Sequence, residues 1–219
     1  MKRIAVLVSG RGSNLQALLN AIAAGALHAD IVGVFSDKPQ ARALQRVPEA
    51  VRWSADAASF PFREAFDAEL ADAVAKSNPD WIVCAGYLRI LGTEFVQRFR
   101  GRLLNIHPSL LPKHPGLRTH ARVIEAGDSE HGASVHFVIP ELDAGPVIAQ
   151  VVVPVQPGDS PDTLATRLLT REHALLVAVL RLCANRSVAE RDGSIFVDGH
   201  PLFTPLCLDC AGDFSPSDA

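Results

Sequence analysis

The stretch Ile4-Ala-Val-Leu-Val-Ser-Gly-Arg-Gly-Ser-Asn14 decides the fold. Its first five residues are apolar at both parities, the pattern of a parallel strand buried on both faces. Ser9-Gly-Arg-Gly12 breaks the run. Leu15, Leu18, Leu19 and Ile22 then recur at i, i+3, i+4 and i+7, one apolar face of a helix over 14–24. Strand, glycine turn and helix in that order open a βαβ unit. Similar apolar runs return at 31–36 and 81–86. Between them Phe62, Phe66, Leu70, Ala73 and Val74 mark a helix that Asn78-Pro79 stops. The expected fold class is α/β, an open, twisted, mostly parallel sheet with helices on both faces and a Rossmann-like order.

Further along, a short helix over 93–99 precedes a strand at Leu103-Leu-Asn-Ile106, and a proline-broken loop fills 107–118. Strands are expected at 135–139 and 147–155 around a loop at 140–146, which makes the C-terminal part antiparallel. A long helix over 162–182 turns Leu164, Leu168, Leu175, Val179 and Leu182 inward. Asp192-Gly193 and Asp198-Gly199 suggest a small hairpin. Residues 1–206 are expected to form a single domain, and 207–219, poor in core formers, a polar and flexible tail.

The chain has 219 residues, with 21 Lys+Arg against 24 Asp+Glu, a formal net charge of −3. That balance argues against a protein that grips nucleic acid through its phosphates. No apolar run approaches the ~18–20 residues of a membrane span. The opening apolar run is too short for a signal peptide, so the expected compartment is the cytoplasm. The four cysteines show no disulfide framework, and Cys207-Leu-Asp-Cys210 reads as two incidental thiols. His107, His114, His120, His131 and His136 fall close together but lack metal-ligand spacing, so no metal is expected.

Two places carry chemistry. Ser9-Gly10-Arg11-Gly12-Ser13-Asn14 lies where a phosphate-binding loop belongs, with the free N–H groups of the following helix beside it. It is neither a dinucleotide fingerprint nor a Walker loop, and a single terminal phosphate suits it better than a pyrophosphate. A tight turn capped by Ser13 or Asn14 explains the same residues. The second place is Asn105-Ile-His107, where an amide donor and an imidazole share one side of a strand end. Acyl transfer needs such a pair, one to stabilise an oxyanion and one to move a proton. Asp143 is a plausible third member that would orient the imidazole and favour its charged form. The alternative is that Asn105 caps a turn, His107 packs on Pro108 and Asp143 faces water.

Five segments carry a resemblance: Val8-Ser-Gly-Arg-Gly-Ser-Asn-Leu-Gln-Ala17, Ala85-Gly-Tyr-Leu-Arg-Ile-Leu91, Gly101-Arg-Leu-Leu-Asn-Ile-His-Pro-Ser-Leu-Leu-Pro112, Glu130-His-Gly-Ala-Ser-Val-His-Phe137 and Glu141-Leu-Asp-Ala-Gly-Pro146. Through them the chain resembles the folate-dependent formyltransferases, and among these the ones that act on glycinamide ribonucleotide in purine synthesis. The resemblance implies transfer of formyl from 10-formyltetrahydrofolate, a cosubstrate, to the ribonucleotide amine, with no bound cofactor. It implies that Gly12, Ser13 and Asn14 hold the ribose phosphate and that Glu172 contacts the ribonucleotide. Arg63, Leu88, Arg89, Ile90 and Leu91 would line the folate site together with Asn105. Asn105, His107 and Asp143 would be catalytic. Partners would be these two small molecules, with no nucleic acid and no membrane, in a monomer or weak homodimer. A deformylase shares the catalytic group but passes formyl to water. A transfer-RNA formyltransferase would call for a further domain and a basic face, and a phosphate sensor would keep the fold without the chemistry.

Overall fold

A computed structural model of the chain describes residues 1–215. They divide into two compact units, residues 1–105 and residues from 106 onward. In the first unit β1 (Lys2–Val8) leads through the glycine loop into α1 (Ser13–Ala23). There follow β2 (Ala29–Ser36), β3 (Arg52–Ser54), α2 (Arg63–Lys76), β4 (Trp81–Cys84), α3 (Thr93–Arg98) and β5 (Leu103–His107), whose last two residues begin the second unit.

Every strand pairing in the first unit is parallel. β1 pairs with β2 on one side and β4 on the other, β3 lies beyond β2, and β5 pairs with β4 from Leu103 to Asn105. The order therefore reverses between β1 and β4, and ligands of open α/β sheets bind beyond strand ends at such a switch. β1 and β4 are buried almost without interruption, as their unbroken apolar runs require. α2 buries Phe66, Leu70, Ala71 and Val74. Phe66 also stacks edge-on against Phe60 and tilts against Trp53 of β3, sealing the far side of the unit.

In the second unit α4 (Thr119–Ala126) is followed by β6 (Glu130–Phe137) and β7 (Val147–Pro154), an antiparallel pair. α4 ends at Gly127, whose φ of 69° supplies the left-handed cap. The sequence offers α4 a single well-buried aliphatic, Val123, and so hides its period. β6 begins earlier than the expected 135, because His131 and Gly132 do not look like strand residues. Gly132 is required there, since a Cβ would lie 2.0 Å from the Val151 carbonyl oxygen. α5 (Pro161–Asn185) starts with a capping box in which Ser160 and Thr163 satisfy each other's backbone N–H groups, with proline in the first turn.

Beyond α5 the expected hairpin is a three-stranded meander: β8 (Val188–Arg191), β9 (Ser194–Val197) and β10 (His200–Leu202). Its two Asp-Gly turns hold both residues at positive φ, the tight I′ geometry such pairs favour. The stretch 207–219, read as a polar tail, carries all but the first residue of β11 (Leu206–Leu208), parallel to β7, and also β12 (Phe214–Ser215). Arg171 donates to the Leu208 and Asp209 carbonyls, and Arg181 to that of Gly212. Residues 216–219 of that stretch lie outside the described residues. The four cysteines are free thiols. No helix among the described residues is long and apolar enough to cross a membrane.

Candidate active site

Within the first unit, the glycine loop leaves the carboxyl end of β1 and the 85–91 segment leaves that of β4. Gly12 sits at φ 74°, and a Cβ there would lie 2.5 Å from the Ala43 Cβ, so conformation and packing both demand glycine. Ser13 opens α1 and Asn14 is buried in its first turn. Ser9, the residue after β1, joins the two loops. Its backbone N–H donates to the Gly86 carbonyl at 3.1 Å. Its hydroxyl accepts from Leu88 N–H at 2.9 Å and donates to Asp37 Oδ1 at 2.6 Å.

Of the residues expected at the folate, Arg63 meets the segment of residues 88–91 in the same unit, and Asn105 pairs with Cys84 of β4. Leu88 and Ile90 present exposed apolar side chains, whereas Leu91 is buried. The segment is clamped from α2 by Asp67, a buried carboxylate the sequence did not single out. Its Oδ2 accepts from Gly92 N–H at 3.0 Å and lies 3.5 Å from Arg63 Nε, while Oδ1 faces Arg89 Nε at 3.9 Å. Arg63 also donates to the Ile90 carbonyl. The Arg89 guanidinium covers the Phe66 ring at 5.0 Å from its centre. Tyr87, packed nearby, has its phenol pushed well above the ordinary range by burial, with Asp37 and Asp67 adding to the effect.

Asn105 and His107 lie two apart on β5, so their side chains leave the strand on one side. In the second unit His107 is buried, with Nδ1 3.4 Å from Asp143 Oδ2 and Nε2 3.1 Å from the His114 carbonyl oxygen. Each ring nitrogen thus faces an oxygen. Asp143 adopts a φ of 52°, uncommon outside glycine, in the loop between β6 and β7. That turn aims its carboxylate inward: Oδ2 also accepts from Gly116 N–H at 2.8 Å, and Oδ1 lies 3.7 Å from His136 Nε2. His136 donates through Nδ1 to the Phe137 carbonyl at 2.8 Å, and burial lowers its pKa.

The loop after β5 is irregular but firmly held. Ser134 Oγ accepts from Leu111 N–H at 3.0 Å and donates to the Ser109 carbonyl at 2.7 Å, and Gln150 Nε2 donates to the Leu111 carbonyl at 2.8 Å. These groups escape a sequence reading because nothing in one chain tells which strand residues will face a distant loop. The other histidines pair differently. His120 Nδ1 lies 2.8 Å from His131 Nε2, and His114 Nε2 lies 2.7 Å from Asp128 Oδ2. Among the described residues no group of three or more His, Cys, Asp or Glu could hold a metal ion. Glu172, the remaining expected contact, is half-buried on α5.

A carboxylate-paired imidazole on the strand that carries an amide donor can stabilise an oxyanion and move a proton. Comparisons with known proteins agree with that chemistry. The phosphoribosylglycinamide formyltransferase of Escherichia coli (strain K12) is 46% identical over 201 residues, spanning 91% of this chain and 95% of that protein. A solved phosphoribosylglycinamide formyltransferase from Coxiella burnetii has a TM-score of 0.86 at 42% identity, covering 91% of this chain and 95% of that one. A trifunctional purine biosynthetic protein of Drosophila melanogaster is 45% identical over 84% of this chain, which corresponds to 14% of that longer protein. The formyl transferase family matches residues 2–180, a span that runs through both units and every residue named above for the reaction. The chain belongs to the formyl transferase family.

Proposed function

We propose that the chain transfers the formyl group of 10-formyltetrahydrofolate to the amine of glycinamide ribonucleotide, giving the formylated ribonucleotide and tetrahydrofolate in purine biosynthesis. Family membership and full-length similarity to phosphoribosylglycinamide formyltransferases support the activity. The observation that carries the chemistry is the buried His107–Asp143 pair, with Asn105 on the same strand. Gly12, Ser13 and Asn14 hold the ribose phosphate, and Glu172 contacts the ribonucleotide. Arg63, Leu88, Arg89, Ile90, Leu91 and Asn105 receive the folate. Asp67 and Ser9 support that reading, because they hold the backbone at both ends of the folate segment.

The neutral amine attacks the formyl carbon, and the carbonyl oxygen becomes an oxyanion. The Asn105 amide and the His107 imidazolium meet that charge. Asp143 orients the ring and stabilises its cationic form. The bond from the formyl carbon to the folate nitrogen then breaks. The proton lost by the amine reaches that nitrogen through a water positioned by Asp143. The folate supplies the one-carbon unit as a cosubstrate, so the reading includes no bound cofactor and no metal. It also includes one formyltransferase domain over residues 1–206, a cytoplasmic monomer or weak homodimer, and no nucleic-acid or membrane partner.

The test mixes protein and 10-formyltetrahydrofolate with and without glycinamide ribonucleotide and follows folate product. Product that depends on the ribonucleotide is expected. Equal product without it would turn the reading into a hydrolase. Asn105→Ala is expected to lower turnover on the order of 10²–10³-fold, the usual loss for an oxyanion donor.

A further inference from the structure

We propose that Arg46, outside the glycine loop, is the positioning residue that aims the loop's amide groups at the ribonucleotide phosphate. This inference rests on the phosphate assignment made above. A loop that binds an anion through backbone N–H groups must turn its carbonyl oxygens elsewhere, because a carbonyl facing the anion repels it.

Here three successive carbonyls are each taken by a donor. Gly10 O accepts from Ala43 N–H at 3.0 Å, Arg11 O from Arg46 Nε at 2.9 Å, and Gly12 O from Gln16 N–H at 3.0 Å. The last is the first turn of α1 itself. The other two come from a single 3₁₀ turn, Arg42–Arg46, on which Gly12 is packed through Ala43.

Peptide planarity converts these anchors into direction. In a trans peptide the C=O and the following N–H point opposite ways. Fixing Arg11 O on Arg46 therefore turns the Gly12 N–H away from Arg46, and fixing Gly12 O does the same for the Ser13 N–H. Gly12 and Ser13 are two of the three residues assigned to the phosphate. The second arm of the same guanidinium, Nη1, donates to Gln16 Oε1 at 2.7 Å, and Gln16 Nε2 donates to Asn20 Oδ1 at 2.9 Å. One planar fork thus sets the peptide before Gly12 against the first turn of α1. With Nε and Nη1 both engaged, Arg46 acts through the loop.

The test uses the full chain and steady-state kinetics with each substrate varied in turn. R46A, at an exposed site, is checked for an unchanged thermal midpoint. It is expected to raise KM for glycinamide ribonucleotide on the order of tenfold, the loss of a charge-assisted hydrogen bond. KM for 10-formyltetrahydrofolate and kcat should stay at wild-type values. R46K keeps the charge but cannot bridge the Arg11 carbonyl and Gln16 as a fork, so it should resemble R46A. Gln16→Ala should give a smaller rise. Glycinamide riboside, which lacks the phosphate, should lose no further affinity in R46A. An unchanged ribonucleotide KM in R46A, full rescue by R46K, or equal rises for both substrates would each overturn the proposal. Absence of ribonucleotide-dependent turnover in the wild type would instead overturn the formyl-transfer reading, and this inference with it, before any variant is made.

Discussion

The second unit contains two groups of histidines built from the same residue types and paired differently. In one, His107 and His136 face the two oxygens of a single buried carboxylate, Asp143. In the other, His131 faces His120, and the nearby carboxylate, Asp128, sits towards the surface between His114 and Lys113. A carboxylate beside a ring offsets the charge of a second proton, an effect that burial outweighs at His136. When two rings share one hydrogen bond, one nitrogen donates and the other must accept, so the contact is lost when both are charged. Burial and the neighbouring His120 accordingly lower the His131 pKa to about 4, and burial with His107 nearby lowers that of His120. Density of histidine in a sequence is therefore a poor guide to chemistry. Burial and the partner of each ring decide together.

Making the first group resemble the second should have the largest effect. Asp143→Asn keeps the shape and removes the charge that orients His107, and turnover should fall on the order of 10⁴-fold, the loss seen when an orienting carboxylate becomes an amide. Retained activity would erase the distinction between the groups. His107→Ala should cost ~10²–10⁴-fold in turnover, whereas His120→Ala should leave turnover at the wild-type level. A loss of similar size in both would show that the two groups act as one.

The next effect concerns stability. His131 has a folded pKa below its unfolded value, so between about pH 6.5 and 4 the unfolded chain binds more protons. Stability is thus fully present above pH 6.5 and declines as pH falls toward 4. Thermal midpoints across that window should fall by several degrees in the wild type and less steeply in His131→Gln. Parallel curves would remove His131 as the cause. The smallest effect belongs to Asp128→Asn. Asp128 is held below the usual carboxylate range chiefly by its hydrogen bond with His114. Surface ion pairs contribute little, so the midpoint should barely move, and the residual shift should vanish in high salt.

What could be read in the chain follows the same division between local and distant partners. β1, α1, β4 and α5 declare themselves through continuous or periodic apolar runs, because their burial depends on their own residues. α4 and the first half of β6 do not: Thr119–Ala126 has a thin apolar face, and Gly132 serves a backbone approach that only the folded pair reveals. At the site, Asn105 and His107 are legible because two-residue spacing on a strand is a local fact. Asp143 lies far along the chain, and its contact with His107 required the positive-φ turn of its loop. Ser9, Asp67, Ser134 and Arg46 stayed hidden for another reason. Each acts by hydrogen-bonding a backbone group elsewhere, and backbone groups leave no mark in a sequence.

The strands β11 and β12 bear on what the edge of β7 presents outward. β7 is a long, valine-rich strand, and β11 takes up hydrogen-bonding positions along its Ala149–Gln150 stretch. β12 pairs with β11 on its far side and is the outermost strand there among the described residues. An uncovered stretch of β7 edge would offer a flat template for another strand, and pairing with β11 removes it at those two positions. The last described segment of the chain thereby caps that stretch of the β7 edge, and Arg171 and Arg181 of α5 tether it.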